Sequence, residues 1–219
     1  MHRTALTTAL LAAALLATTL APASASSRAE GPLLSEAVAT LPVAVEVREG
    51  YVRTSFKHWV DADRDGCSTR YEVLLDEAVV APAVVDRCTL VGGSWYSYYD
   101  DVTVADASGL DVDHLVPLAE AWDSGARTWD AAKREAYAND LTDPWHLVAV
   151  TARSNRSKAD QDPYTWQPPV EGVRCQYAAE WTAIKLRWGL TIDAAEQQAL
   201  TDLGAACPEQ HLPTLEDQR

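Results

Sequence analysis

The chain has one phenylalanine and one methionine, so eight Trp and eight Tyr supply nearly all of its large aromatic surface. Those two residue types carry polar handles, which suits half-buried positions and substrate surfaces. Positive charge is also scarce: 18 Lys and Arg stand against 32 Asp and Glu, a net charge of −14. That balance excludes attraction of a polyanion by overall charge, so any such binding needs a local basic face. No two of the four cysteines stand in Cys-x-x-Cys spacing, which excludes the usual structural zinc knuckle. Beyond residue 25 no stretch approaches the roughly 20 apolar residues of a membrane helix. No internal repeat is present, which excludes a solenoid.

What is present begins with an export signature. His2 and Arg3 give a positive start, Ala5 to Leu20 carries no charge, and Ala23-Ser24-Ala25 offers a small-residue cleavage site. A signal peptide over residues 1–25 is expected, with a soluble, extracellular mature chain beginning at Ser26. Its removal takes away Arg3 and no acid, leaving 17 basic against 32 acidic residues. Cys67, Cys88, Cys175 and Cys207 all lie in the mature part, and an even number in an exported chain points to two disulfides. Of the three pairings, the local one, Cys67–Cys88 with Cys175–Cys207, is expected. Each bridge would close a loop of about 20 to 30 residues, worth around 3 kcal/mol on the chain-entropy view.

The chemistry concentrates in two segments. Asp111-Val112-Asp113-His114-Leu115-Val116-Pro117 is followed by His146-Leu147-Val148-Ala149-Val150 and then Asn155-Arg156-Ser157-Lys158. Phosphodiester hydrolysis needs an activated water and neutralisation of charge. His114 can take a proton from water in its neutral form. Asp113 and Asn155 offer hard oxygen ligands to Mg²⁺ or Mn²⁺, an ion that keeps several of its own waters. Asn155 and Lys158 share a face of a predicted helix, which would bring the Lys158 ammonium to a phosphate. Arg156 is a second candidate phosphate contact. On a regular strand Asp113 and His114 point to opposite faces, so a bulge or strong twist is expected there. Asp111, on the Asp113 face, is either a supporting carboxylate or a further ligand.

These segments resemble the HNH, or ββα-metal, endonuclease family. The wider stretch, with Ala119-Glu120-Ala121-Trp122-Asp123-Ser124-Gly125-Ala126, Ala138-Asn139-Asp140-Leu141 and Trp166-Gln167-Pro168-Pro169, is similar to a branch of secreted actinobacterial proteins. The same branch resembles the nuclease end of a modification-dependent restriction enzyme. The resemblance covers roughly residues 50 to 207. It implies that His114 is the general base, that Asp113 and Asn155 bind the metal, and that the products carry a 5′-phosphate and a 3′-hydroxyl. The middle motif position falls on His146, where many relatives carry an Asn that steadies the base. Histidine there leaves three roles open: orienting His114, contacting phosphate or joining the metal.

A second constellation, Asp61, Asp63, Asp65, Gly66 and Glu72, has the spacing of a calcium loop. Phe56, Trp59 and Val60 have helical spacing before it, and Val73-Leu74-Leu75 could begin the outgoing helix. The competing reading is an Asp-rich turn held by its own side chains. Arg70 could alternatively reach the active site.

The expected architecture is α+β: a ββα-metal core elaborated with extra helices and stapled by two disulfides. Residues 26–45 are read as a flexible lead, 46–207 as one HNH domain with its motif core at about 109–168, and 208–219 as a frayed tail. A strand is expected from His146 to Val150. Helices are expected over 128–137, capped by Thr128, and over 176–188 and 193–203. Residues 92–99 read as a turn into an aromatic strand whose rings either stack on bases or, as expected first, pack over the core. Arg127, Lys133, Arg134, Arg153, Arg156, Lys158, Arg174, Lys185 and Arg187 are the candidates for a basic face. His58 and His211 read as bystanders. The expected activity is metal-dependent hydrolysis of nucleic acid, DNA first, by a monomer with no membrane or protein partner. The rival is an exported calcium-binding or adhesion module with an inactive HNH-like core.

Overall fold

The computed structural model describes residues 31–214, so the expected signal peptide at 1–25 lies outside the described residues. In chain order the elements are α1 (Leu34–Val38), α2 (Thr69–Asp76), β1 (Ala78–Val80), β2 (Ala83–Val85), β3 (Thr89–Val91), β4 (Ser94–Ser97) and β5 (Val102–Val104). There follow β6 (Leu110–His114), α3 (Leu118–Asp123), α4 (Ala131–Ala138), β7 (Leu147–Thr151), α5 (Ala152–Lys158), α6 (Arg174–Trp188) and α7 (Ala194–Ala206). Three small antiparallel sheets form, β1–β4–β5, β2–β3 and β6–β7, and the fold class is α+β. Among the described residues no helix is long and apolar enough to cross a membrane.

The β6–β7 ribbon separates two apolar clusters. Its register is regular, from Leu110 opposite Thr151 to His114 opposite Leu147. The period-2 alternation of strands therefore sorts every side chain to one cluster or the other. Leu110, Val112, Leu147 and Ala149 enter the smaller cluster with Val73, Leu74 and Trp95. Val148 and Val150 enter the larger one with Leu115, Tyr137, Tyr177 and Trp181. All five residues of β7 are consequently buried, which explains a strand of Leu, Val, Ala, Val and Thr with no exposed face. The bulge expected at Asp113 is absent.

The helix after β7 starts at once because Thr151 caps it. Its Oγ1 accepts from Ser154 N at 3.2 Å and donates to Asp100 Oδ2 at 2.6 Å. α6 stops at Gly189, whose φ of +66° is the left-handed cap that glycine supplies without strain. Both disulfides pair as expected, Cys67 with Cys88 and Cys175 with Cys207. The second ties the start of α6 to the end of α7.

The skewed aromatic set serves these cores. Trp95, Trp181, Tyr99 and Tyr137 are fully buried, and each sends its polar end to a partner. Trp95 Nε1 donates to Leu74 O at 2.5 Å, and Tyr137 OH donates to Val116 O at 2.6 Å. The expected aromatic strand is β4, and Trp95 and Tyr99 pack inward. Lys185, offered above for a basic face, is buried instead. Its ammonium donates to Glu120 Oε1 at 2.6 Å and Glu196 Oε2 at 3.1 Å, locking α6 to α3 and α7. Arg187 is likewise held by Asp140 and Asp143.

Several boundaries differ from expectation. Residues 31–45 are not a flexible lead: Leu34, Val38 and Leu41 are buried, and α1 packs on α6 and α7. The tail is docked through Thr214, because Leu34 N donates to Gln210 O at 2.7 Å, Leu212 N donates to Pro32 O at 2.9 Å, and Leu212 is buried. The two ends pair as an antiparallel bridge between Leu33 and His211. The cap of α4 is Asp130, whose carboxylate accepts from Lys133 N, and not Thr128, which lies in a 3₁₀ turn. The helical spacing of Phe56, Trp59 and Val60 forms no helix: Arg53–Ser55 is a 3₁₀ turn, and Trp59 has a φ of +61°.

Glu77, just after α2, pins β7 by accepting from Ala149 N at 2.9 Å. Its other oxygen is buried without a partner, and burial pushes its carboxyl up to about 8. The folded protein thus holds a proton that the unfolded chain releases near 4.5, so stability falls as pH rises from about 4.5 towards 8. Glu77→Gln keeps an acceptor for Ala149 and does not titrate. Its melting temperature should exceed the wild type's by about 2–4 °C per kcal/mol gained at pH 8 and match it at pH 5. An equal difference at both pH values would contradict the assignment.

Candidate active site

One cavity, of about 400 Å³, is lined by Asp113, His114 and Asn155, together with Arg53, Val112, Pro117, Leu118, Arg156, Ala159 and Asp160. It lies at the end of the β6–β7 ribbon, beside α5. Asp113 and His114 share it without a bulge because the strand ends at His114. Asp113 leaves towards α5 and His114 towards the opposite face, as the pleat demands.

Asp113 is 5% exposed and is held from two sides. Tyr99 OH donates to its Oδ2 at 2.9 Å, and the Lys158 ammonium lies 2.8 Å from Oδ2 and 3.1 Å from Oδ1. Lys158 also donates to the backbone oxygen of His114 at 3.1 Å. Burial pushes the Asp113 carboxyl up and the Lys158 ammonium down, and each is drawn back by the other's charge. Lys158 is 0% exposed, so the phosphate contact expected of it gives way to an internal ion pair. The sequence displays the charge of a lysine and not its burial.

His114 is 4% exposed, and its Nε2 lies 3.0 Å from Ala138 O. A carbonyl oxygen only accepts, so Nε2 carries the proton and Nδ1 keeps the lone pair. Burial holds the imidazolium well below the ordinary histidine range; the bond to Ala138 O draws it partly back, and the Arg53 charge acts with burial. A neutral imidazole with a fixed tautomer is what a general base requires.

Asn155 donates its Nδ2 to Asp111 Oδ2 at 3.1 Å, which turns its carbonyl oxygen away as a free acceptor. Asp111 thereby orients Asn155, and Arg156 stands 3.5 Å from the same oxygen. His146 is 0% exposed and does not line the cavity. Its Nε2 bonds Tyr137 O at 2.7 Å, and its ring centre lies 6.5 Å from that of His114. Burial brings its imidazolium down to about 4. Its Nδ1 is buried without a hydrogen-bond partner, and its ring packs edge-on to that of His114.

The acidic loop is built differently. Asp61, Asp63 and Asp65 bring oxygens within 4.8 Å of one another and are exposed. Each also accepts from its own backbone: Asp63 from Asp65 N, Asp61 from Gly66 N and Asp65 from Cys67 N. These are the bonds of a self-held Asp turn. Glu72 stands on α2, outside that trio. The helix α2 follows the loop, and a 3₁₀ turn at Arg53–Ser55 precedes it. Arg70 donates to Leu110 O at 3.1 Å and does not line the cavity.

Arg53, His58, Trp59 and Tyr99 belong to this site and were not legible as such. The Trp59 ring lies 5.2 Å from His114 and the His58 ring 6.3 Å, so both are neighbours of the His114 imidazole. For Tyr99 the sequence offers base stacking or core packing, and neither includes the hydrogen bond it gives Asp113.

Lys158→Met would leave the Asp113 carboxylate buried without its partner. Breaking such a pair costs about 3–5 kcal/mol, so the melting temperature should fall by roughly 10 °C. Pairing it with Asp113→Asn should recover most of that loss. A single Lys158→Met protein as stable as the wild type would refute the pair's structural role.

The family described as GmrSD restriction endonucleases, C-terminal domain, matches residues 83–203. That span holds β6, β7 and α5 with Asp111, Asp113, His114, His146, Asn155, Arg156 and Lys158. A protein of Arthroderma benhamiae bearing the name "Uncharacterized secreted protein" is 39% identical over 160 residues, 73% of this chain and 77% of its own length. No solved structure matches the chain. The match takes in the ribbon, the buried His114 and the helix carrying Asn155, and the chain belongs to the family of GmrSD restriction endonuclease C-terminal domains, a nuclease family.

Proposed function

We propose that this protein is an exported, metal-dependent endonuclease of the HNH type, acting on DNA as a monomer. The observation that carries the proposal is the bond from His114 Nε2 to Ala138 O, which leaves Nδ1 as a proton acceptor in a cavity shared with Asp113 and Asn155. Export is supported by the two disulfides and by the name of the Arthroderma benhamiae relative.

The donor set fits a hard divalent cation. Asp113 offers a carboxylate and Asn155 an amide oxygen, and the cavity presents no thiolate because all four cysteines are bridged. Three contacts engage Asp113, and a carboxylate has about four lone-pair sites, so one remains. Asp113 and Asn155 would hold Mg²⁺ or Mn²⁺, which when bound polarises the phosphoryl group and offsets charge on the departing oxygen.

The protein's own groups do the rest. His114 Nδ1 takes a proton from water as the water oxygen bonds to phosphorus. The bond from phosphorus to the 3′ oxygen breaks, and that oxygen takes a proton from solvent. One strand end keeps a 5′-phosphate and the other a 3′-hydroxyl. Asp111 holds the amide of Asn155 in place, and Ala138 O fixes the tautomer of the base. Arg153 and Arg156, exposed on α5, give local positive charge in an otherwise acidic chain, so binding should weaken steeply with salt.

The test is plasmid cleavage by the oxidised protein with Mg²⁺ or Mn²⁺, and with chelator. His114→Ala should lower the rate about 10²–10⁴-fold with the fold intact, the usual contribution of a general base. Asp113→Ala and Asn155→Ala should abolish the response to metal. Full metal-dependent cleavage by pure His114→Ala protein would reject the mechanism.

A further inference from the structure

The cations of the motif are already engaged. Lys158 is sealed against Asp113, and Arg156, three-quarters exposed, leans on Asp111. Besides Arg156, the cavity wall holds a second exposed positive group from outside the motif: Arg53. It lies ahead of the matched span of residues 83–203, so the family match assigns it no part.

The backbone that carries Arg53 is clamped. Its 3₁₀ turn, Arg53–Ser55, runs into Phe56, which is fully buried against Trp122 and Tyr137. Arg134 Nε donates to Ser55 O at 3.0 Å, and Asn139 Nδ2 donates to Lys57 O at 2.8 Å. Beyond it, His58 and Trp59 pack beside His114. The Arg53 charge acts on both Asp113 and His114. Its guanidinium meets Tyr51, and among the described residues no carboxylate forms a salt bridge with it. An exposed arginine on a fixed turn, facing a cavity with a base and two hard ligands, suits bidentate recognition of phosphate.

We propose that Arg53 is a phosphate-binding catalytic residue of this site, its guanidinium taking oxygens of the scissile phosphate and stabilising the charge that builds there as water attacks. The inference rests on the endonuclease assignment above. Arg53 gives up no proton: the base remains His114, and the bond made and the bond broken are those at phosphorus.

Two measurements on the oxidised full protein test it. In cleavage of plasmid, Arg53→Ala should lower kcat about 10²–10³-fold, as removal of one preorganised donor does, with a smaller change in KM. Arg53→Lys should restore only part of it, because a point charge replaces a planar fork. The second measurement needs no catalysis: binding of duplex DNA by His114→Ala protein in chelator, across a salt series. Adding Arg53→Ala should reduce the slope of log K against log salt by about 0.9, the value of one phosphate contact. Unchanged cleavage and an unchanged slope would overturn the proposal. If the wild type cleaves no nucleic acid, the endonuclease assignment fails alone, and the salt slope still decides for or against an Arg53–phosphate contact. Unchanged melting in the Arg53→Ala protein separates loss of contact from loss of fold.

Discussion

A buried ammonium against a buried carboxylate, Lys158 on Asp113, fixes the geometry on which the site depends. Neither charge is stable alone in that interior, so each constrains the other to about 3 Å. The pair ties the end of α5 to the end of β6, and the same ammonium holds the His114 backbone. Strand, helix and base are thereby set by one cation. Tyr99 completes the clamp from the opposite side and is itself wedged between Trp166 and Tyr177.

The ribbon adds the second constraint. Because β6 and β7 divide two apolar clusters, a slip by one residue would drive Asp111 and Asp113 into hydrocarbon. Register is therefore strongly specified, and adjacent residues with opposite directions serve one cavity at the strand's end. His114 leaves the ribbon on the side of the smaller cluster, while Ala138, a member of the larger one, offers the carbonyl that sets its tautomer, and the His146 ring lies 6.5 Å away. Burial keeps both imidazoles neutral.

Much of this was legible because local patterns carry it. The Asp-His end of β6, the apolar run of β7, the helical period of α7 and the cysteine spacing all express short-range physics. Three kinds of information were not local. The lead and tail look polar and loose, yet they bury Leu34, Leu41 and Leu212 by pairing with each other across the whole chain. Lysine letters do not say whether an ammonium meets solvent or a carboxylate, so Lys158 and Lys185 were misplaced on a basic face. Arg53 sits 60 residues before Asp113, in a segment with no motif of its own, and only folding brings it to the cavity. In the acidic loop the motif spacing does gather Asp61, Asp63 and Asp65, and one oxygen of each accepts from the loop's own backbone.

The central claim is that Asp113 and Asn155 form the metal end of a site whose base is His114. A crystal of the oxidised protein soaked in Mn²⁺ tests it directly through anomalous scattering. The account predicts a peak in the cavity beside α5, with oxygens of Asp113 and Asn155 about 2.0–2.3 Å away, the range of hard-cation to oxygen bonds. Lys158 should remain on Asp113. An empty cavity, with manganese bound only at the Asp61, Asp63 and Asp65 loop, would contradict the account and favour a calcium-binding module.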